Sequence, residues 1–139
     1  MINRVLDLQH ISVRQVMLPF AKVTSVTTQT PMARVLALYR EQTVTRVPVW
    51  QEEAGRRRIA GVLNLKNILF LPEIELGRTA GQHMLPALYL DDNLRLEEAL
   101  RRMQKSGQRL AIVLGRDGRE LGILSLADVL KVIFGEVAL

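Results

Sequence analysis

Apolar positions recur along the chain with two different periods. Met32, Val35, Leu36 and Tyr39 stand at i, i+3, i+4 and i+7, and Leu96, Ala99, Leu100 and Met103 repeat that spacing 64 positions later. Each set lines one face of a 3.6-residue helix. Amphipathic helices are therefore expected near Pro31–Gln42 and Leu94–Ser106, with Leu36, Tyr39, Leu100 and Met103 directed inward. Pro31 suits a first helical turn and Thr30 a capping position before it. Short apolar and β-branched runs predict strands near Lys22–Val26, Arg46–Trp50 and Ile59–Leu63, then Ala87–Leu90, Gln108–Leu114 and Glu120–Leu124. Further helices are expected near Leu65–Phe70 and Leu126–Phe134, and Gly115-Arg116-Asp117-Gly118 reads as a hairpin turn.

The order of elements is a duplication. VRQVMLP at 13–19 returns as AGQHMLP at 80–86, with Met17 and Met84 separated by 67 positions. RVPVW at 46–50 answers to RLAIV at 109–113 with an offset of 63, and GVLNLKNIL at 61–69 to GILSLADVL at 122–130 with an offset of 61. Each half reads as a short helix, a strand, an amphipathic helix, two strands and a final helix. The expected organisation is a lead-in over 1–11, a first domain over 12–72 and a second over 73–139. A unit of roughly 60 residues buries a modest share of its surface, so the two are expected to pack about a pseudo-two-fold axis. The fold class is α/β of the α+β kind: two related units, each with a small three-stranded sheet and flanking helices.

Composition narrows the function. The 139 residues are 48% hydrophobic and 24% charged, a globular balance. The longest run free of Asp, Glu, Lys and Arg is Thr79–Leu90, 12 residues, against about 20 for a membrane-spanning helix. No basic segment followed by an apolar core opens the chain, so secretion is not expected. The absence of cysteine excludes disulfides, thiolate metal sites and cysteine nucleophiles. Nineteen basic against 14 acidic residues give +5, a balance that attracts phosphates. With one Trp, two Tyr and three Phe, stacking platforms for single-stranded nucleic acid are poorly supplied, and no nucleic-acid partner is expected.

Ser125 and Asp128 lie three apart where a strand is expected to turn into a helix. A helix N-terminus offers unpaired N–H groups to a phosphate, and a carboxylate one turn in can accept from vicinal ribose hydroxyls. From spacing alone a capping box is the simpler reading, with Ser as N-cap and the acidic residue reaching back. Arg46 presents a planar donor fork suited to phosphate oxygens, or is an exposed strand residue. His10 and His83 stand apart from any ligand-like spacing, and the pairs Glu52/Glu53, Asp91/Asp92 and Glu97/Glu98 read as solvated faces or a helix start. Arg56-Arg57-Arg58 reads as a solubilising loop, with contact to anionic lipid or a membrane domain as its alternative. No GxGxxG, Walker A or nucleophile-elbow string is present, and no catalytic set is evident, so an enzyme is not expected.

The repeated strand–helix–strand–strand–helix order, with a Gly-hydrophobic-hydrophobic-Ser/Thr-x-x-Asp string opening the last helix, resembles the CBS domain. Two copies resemble a CBS pair, or Bateman module. VMLPF at 16–20, TRVPVW at 45–50, GVLNLKNIL at 61–69 and GILSLADVLKVIFGEV at 122–137 are similar to the CBS pair of the CorC/hemolysin C (cyclin M) family of magnesium and cobalt transport proteins. The resemblance implies a regulatory module on the cytoplasmic side of the cell membrane, attached in the full-length protein to a membrane transport domain and assembled as a homodimer. Its implied ligand is an adenosine nucleotide, ATP first, with Mg2+ a candidate companion.

The implied site comprises Ser125 and Asp128 at ribose and phosphate, Arg46 at phosphate with Thr45 beside it, Val44 and Pro48 against adenine, and Leu18 where the family carries Thr. A second, weaker site is implied at Asn64, Asn67 and Arg109, with Asn67 in place of the usual Asp. An amide lacks the anionic acceptor strength of a carboxylate for ribose. Leu18, Asn67 and Ala127, which replaces a family Glu, support the alternative of a dimerisation and interaction module with degenerate pockets.

Overall fold

The duplication is realised as two sheets served by corresponding helices in the computed structural model, which describes residues 10–42 and 44–135. Most of the expected lead-in over 1–11 and the last two residues of the 122–137 string lie outside the described residues. Helices α1 (Val13–Val16), α2 (Met32–Gln42), α3 (Leu96–Ser106) and α4 (Leu126–Ile133) alternate with seven strands. Strands β2 (Val26–Thr27), β3 (Arg46–Glu53) and β4 (Arg56–Asn64) form one sheet in that order. Strands β1 (Leu18–Pro19), β7 (Glu120–Ser125), β6 (Leu110–Leu114) and β5 (Leu88–Asp91) form the other. Sequence reading expected three strands in each half; the second sheet gains a fourth, supplied by the first repeat.

The compact units consequently interleave along the chain. One holds Thr24–Ala87, the other the described residues up to Val23 and from Leu88 onward. The two MLP segments explain this arrangement. Leu18 pairs with Ile123 and Pro19 with Gly122, antiparallel, on the outer edge of β7. Leu85 bridges Val62 on the outer edge of β4, exchanging two backbone hydrogen bonds of 2.8 and 2.9 Å. Each repeat thus lends its MLP segment to the last strand of the other repeat's sheet.

The repeated glycine of GVLN and GILS makes room for that segment. A Cβ on Gly61 would lie 2.6 Å from the Leu85 carbonyl oxygen, and one on Gly122 would overlap the Leu18 carbonyl. The duplicated glutamines have a local task. Gln15 Oε1 accepts from the Ser12 N–H at 2.8 Å, and Gln82 Oε1 from the Thr79 N–H at 3.0 Å, each holding the turn that launches an MLP segment.

The cores repeat as well. Val26, Met32, Val35, Val47, Val49, Leu63 and Ala80 are buried in one unit, and Leu90, Leu96, Ala99, Ala111, Val113, Leu124 and Val13 occupy matching positions in the other. On the expected stripes Met103 is fully buried, whereas Leu36, Tyr39 and Leu100 are half-buried against the cores and Leu38 takes a buried place. Thr30 does not cap α2; its hydroxyl accepts from the Thr27 N–H at 3.1 Å.

Three departures from the sequence reading have physical causes. The strand expected at Lys22–Val26 is a 310 turn at Phe20–Lys22 followed by the two-residue β2. Val62, opposite Pro48, turns its backbone groups away toward Leu85, so position 48 must bond on the β2 side, where proline has no N–H to give. Ile112 stands at the equivalent place in β6, opposite Ile123, and there β5 runs a full four residues.

The helix expected at Leu65–Phe70 is a 310 helix. Pro72 removes a helical N–H and disfavours helical backbone at Leu71, whereas Ile133 occupies that position in the second repeat and lets α4 run eight residues.

The offset of 63 between Arg46 and Arg109 is also corrected. Arg46 pairs with Asn64, while Leu110 pairs with Ser125, so the strands correspond at 64. The Thr45 carbonyl accepts from the Leu65 N–H at 2.7 Å and the Arg109 carbonyl from the Leu126 N–H at 2.9 Å. Arg109 is therefore the counterpart of Thr45, and Leu110 that of Arg46.

Candidate functional site

Strand β7 ends at Ser125, whose backbone is extended (φ −92°), and α4 begins at the next residue. The Asp128 N–H donates to Ser125 Oγ at 3.1 Å, so the serine caps the helix. The reciprocal arm of a capping box is missing. Among the described residues no hydrogen bond or ion pair reaches the half-buried Asp128 carboxylate. Its oxygens therefore remain open as acceptors beside the positive end of α4. Ser125 Oγ spends one lone pair on the cap and keeps its own proton as a donor.

Leu18 belongs to the same unit. Its pairing with Ile123 sets it on the edge of the strand that delivers Ser125, with 38% of its surface exposed. At this place the chain offers an aliphatic surface rather than a hydroxyl. Ala127 is exposed on the first turn of α4.

Val44, Thr45, Arg46 and Pro48 belong to the other unit. Val44 packs against its core, Pro48 is buried, and Arg46 is half-buried. Side chains alternate across a strand, so Arg46 and Pro48 stand on the face opposite the core residues Val47 and Val49.

The structure brings Asn64 and Asn67 together in that same unit. They line a small cavity of about 160 Å3 with Met32, Leu63, His83 and Leu85. Asn64 Oδ1 accepts from the Lys66 N–H at 3.1 Å and thus steadies its own turn. His83 Nε2 lies 3.0 Å from Glu75 Oε2, and Glu75 also meets Arg78 Nε at 3.1 Å. His83 is therefore held by the carboxylate that Arg78 also engages. Among the described residues no group of His, Asp or Glu is disposed to hold a metal ion.

Sequence reasoning missed the contributions of Gly61, Gly122 and Leu85. The signal was present in the repeated GVL/GIL glycine and the repeated MLP, but which strand each segment joins is set by tertiary pairing. It also missed Asp92, the one buried charged residue among those described, which accepts from Arg14 Nη1 at 3.1 Å.

Two duplicated α+β units, each delivering a polar strand-to-helix turn beside an exchanged MLP segment, define a tandem-repeat α+β architecture. The sequence profile of the CBS domain matches residues 13–73 and 81–135, and the chain belongs to the CBS-domain family as a pair of such domains. The UPF0053 protein YhdP of Bacillus subtilis (strain 168) is 23% identical, over 98% of this chain and 31% of that protein. Hemolysin C of Brachyspira hyodysenteriae is 26% identical, over 98% of this chain and 49% of its own length. The CBS domain of the bacterial CNNM/CorC family Mg2+ transporter in complex with ATP matches with a TM-score of 0.88 and 29% identity, covering 96% of this chain and 94% of that one. The chain thus spans about a third to a half of these curated relatives. No helix among the described residues is long and apolar enough to cross a membrane.

Proposed function

We propose that this CBS pair is a non-catalytic regulatory module that binds an adenosine nucleotide, ATP first. The observation that carries the reading is the Asp128 carboxylate, half-buried beside a Ser125-capped helix start and without a partner among the described residues. In this reading Asp128 accepts from the ribose hydroxyls and Ser125 donates to ribose or phosphate. Arg46, with Thr45 beside it, engages phosphates, Val44 and Pro48 contact adenine, and Leu18 gives apolar contact. The similar CNNM/CorC domain in complex with ATP supports this choice of ligand.

Asn64, Asn67 and Arg109 form a weaker site. Arg109, counterpart of Thr45 rather than of Arg46, lacks the phosphate-facing strand position. In the full-length protein the module reports occupancy to a membrane domain that transports divalent cations such as magnesium or cobalt, from the cytoplasmic side. Binding biases the module by its differential affinity for two arrangements. The module also forms a homodimer, a reading supported by Phe70 and Phe134, which are 86% and 72% exposed.

Calorimetric titration with ATP, AMP and adenosine, each with and without Mg2+, tests the reading. Asp128→Ala should weaken all three ligands, because all share the ribose, whereas Arg46→Ala should weaken ATP more than adenosine. Unchanged ATP affinity in a folded Asp128→Ala protein would overturn the site. No heat with any ligand would leave the degenerate interaction module. Sedimentation giving only the 15.7 kDa species at tens of micromolar would remove the dimer.

A further inference from the structure

A second concavity, of about 750 Å3, lies in the unit that carries Ser125, at the opposite end of β7. It is lined by Arg14 from α1, Asp91 at the end of β5 with Asp92 and Asn93 after it, Arg116 in the hairpin turn, and Leu121. Leu121 and Ser125 are four strand residues apart, roughly 13 Å.

Its charges sort into engaged and unengaged. Arg14 Nη1 donates to Asp92 Oδ2 at 3.1 Å, and the Arg14 N–H donates to the Asp92 carbonyl at 2.9 Å, so these two groups are engaged with each other. Asp117, also at the rim, accepts from the Arg119 N–H at 3.0 Å. Among the described residues the exposed Arg116 guanidinium and the exposed Asp91 carboxylate have no hydrogen-bond or ion-pair partner, and neither has the Asn93 amide. One cation, one anion, one amide and one aliphatic side chain thus face the same hollow unspent.

The fold does not require this set. The other unit builds the same backbone contact, with the Gly81 N–H donating to the Thr28 carbonyl at 3.0 Å. Thr27, Thr28, Gln29, Ala60 and Gly81 stand there in place of Asp91, Asp92, Asn93, Leu121 and Arg14, and none carries a charge. The Asp91, Asp92 and Arg14 charges are thus features of one copy only, and the volume of the hollow falls in the range of small-molecule pockets.

We propose that this hollow binds a small zwitterion of the free α-amino-acid class. The ammonium group pairs with Asp91, the carboxylate lies on the Arg116 fork, Asn93 bonds either group, and an aliphatic side chain rests on Leu121. Both charges are needed, because each protein group alone is a solvated surface charge worth little.

The test is amide-resolved NMR of the 15N-labelled chain titrated with L-leucine, with 3-methylbutylamine and 4-methylpentanoate as its single-charge analogues. Leucine at millimolar concentration should move the amide signals of Asn93, Gly115 and Leu121. Each analogue should need about tenfold more or fail to bind. Asp91→Asn and Arg116→Gln, both at exposed positions, should each weaken leucine by about tenfold while the remaining spectrum and the ATP titration stay as in wild type. No shifts at about 20 mM leucine, equal shifts with either analogue, or wild-type affinity in both variants would overturn the proposal.

Discussion

Gly122 lies directly under the backbone of Leu18: a Cβ at position 122 would meet the Leu18 carbonyl oxygen and carbon and the Pro19 Cα. Gly122 is thus the seat of the two-residue strand that the first repeat lends to the second sheet. Gly122→Ala should destabilise the chain by about 1–3 kcal/mol, because a strand backbone rather than a flexible side chain must give way. Gly61→Ala, whose closest neighbour is the Leu85 carbonyl at 2.6 Å, should cost less. Denaturant unfolding checks both; a Gly122→Ala midpoint equal to wild type would contradict the close approach.

Ser125 has a structural task that can be separated from ligand binding. Ser125→Ala removes the acceptor of the Asp128 N–H and should cost about 1 kcal/mol without any nucleotide present. Asp128→Asn leaves the backbone cap in place and should change stability far less. If the two variants melt together in the absence of nucleotide, the cap does not hold α4.

The ion pair Arg14–Asp92 differs from the pairs on α3. The Asp92 side chain is 12% exposed, against 33% for Glu98. Arg14→Ala leaves a nearly buried carboxylate without its cation and should cost about 1–3 kcal/mol. Arg101→Ala should cost at most about 0.5 kcal/mol, because Glu98 keeps Arg102 at 3.3 Å. Equal losses in thermal unfolding would mean that the burial of Asp92 carries no weight.

Trp50 reports on the long hairpin. Its indole N–H donates to Ser25 Oγ at 3.0 Å, and the Arg57 guanidinium lies 4.6 Å from the ring centroid. Arg57→Ala should alter the emission of this single tryptophan at a stability cost of roughly 0.5–1 kcal/mol. An unchanged emission spectrum would place Arg57 away from the ring in solution.

The repeat, the two long helices and the second hairpin were legible in the sequence because each depends on local periodicity or turn chemistry. Gly107 (φ 72°) ends α3, and Gly118 (φ 79°) closes the turn that the glycine pair announced. The capped Ser125 turn was legible too, since an N-cap signal needs only its own neighbours. The 63-residue offset failed because two arginines matched by letter while the register was set by cross-strand pairs, and a slip of one residue moves a side chain to the other face. The short β2 and the 310 helix after Asn64 could have been read from Pro48 and Pro72, had each proline been weighed for the hydrogen bond it withholds. The destination of the MLP segments could not, because a two-residue strand carries no period of its own.

Connectivity follows a different logic from ancestry in this chain. A piece cut at the repeat boundary, 12–72, would retain Gly61 without the Leu85 strand above it and would carry Leu18 and Pro19 with no edge to join. The stretch Thr24–Ala87, which begins and ends inside the repeats, contains every backbone partner of its own sheet. A chain holding one repeat alone would complete its sheet only by trading its MLP segment with a twin molecule, a reciprocal exchange of the domain-swapping kind that the fused pair makes internally.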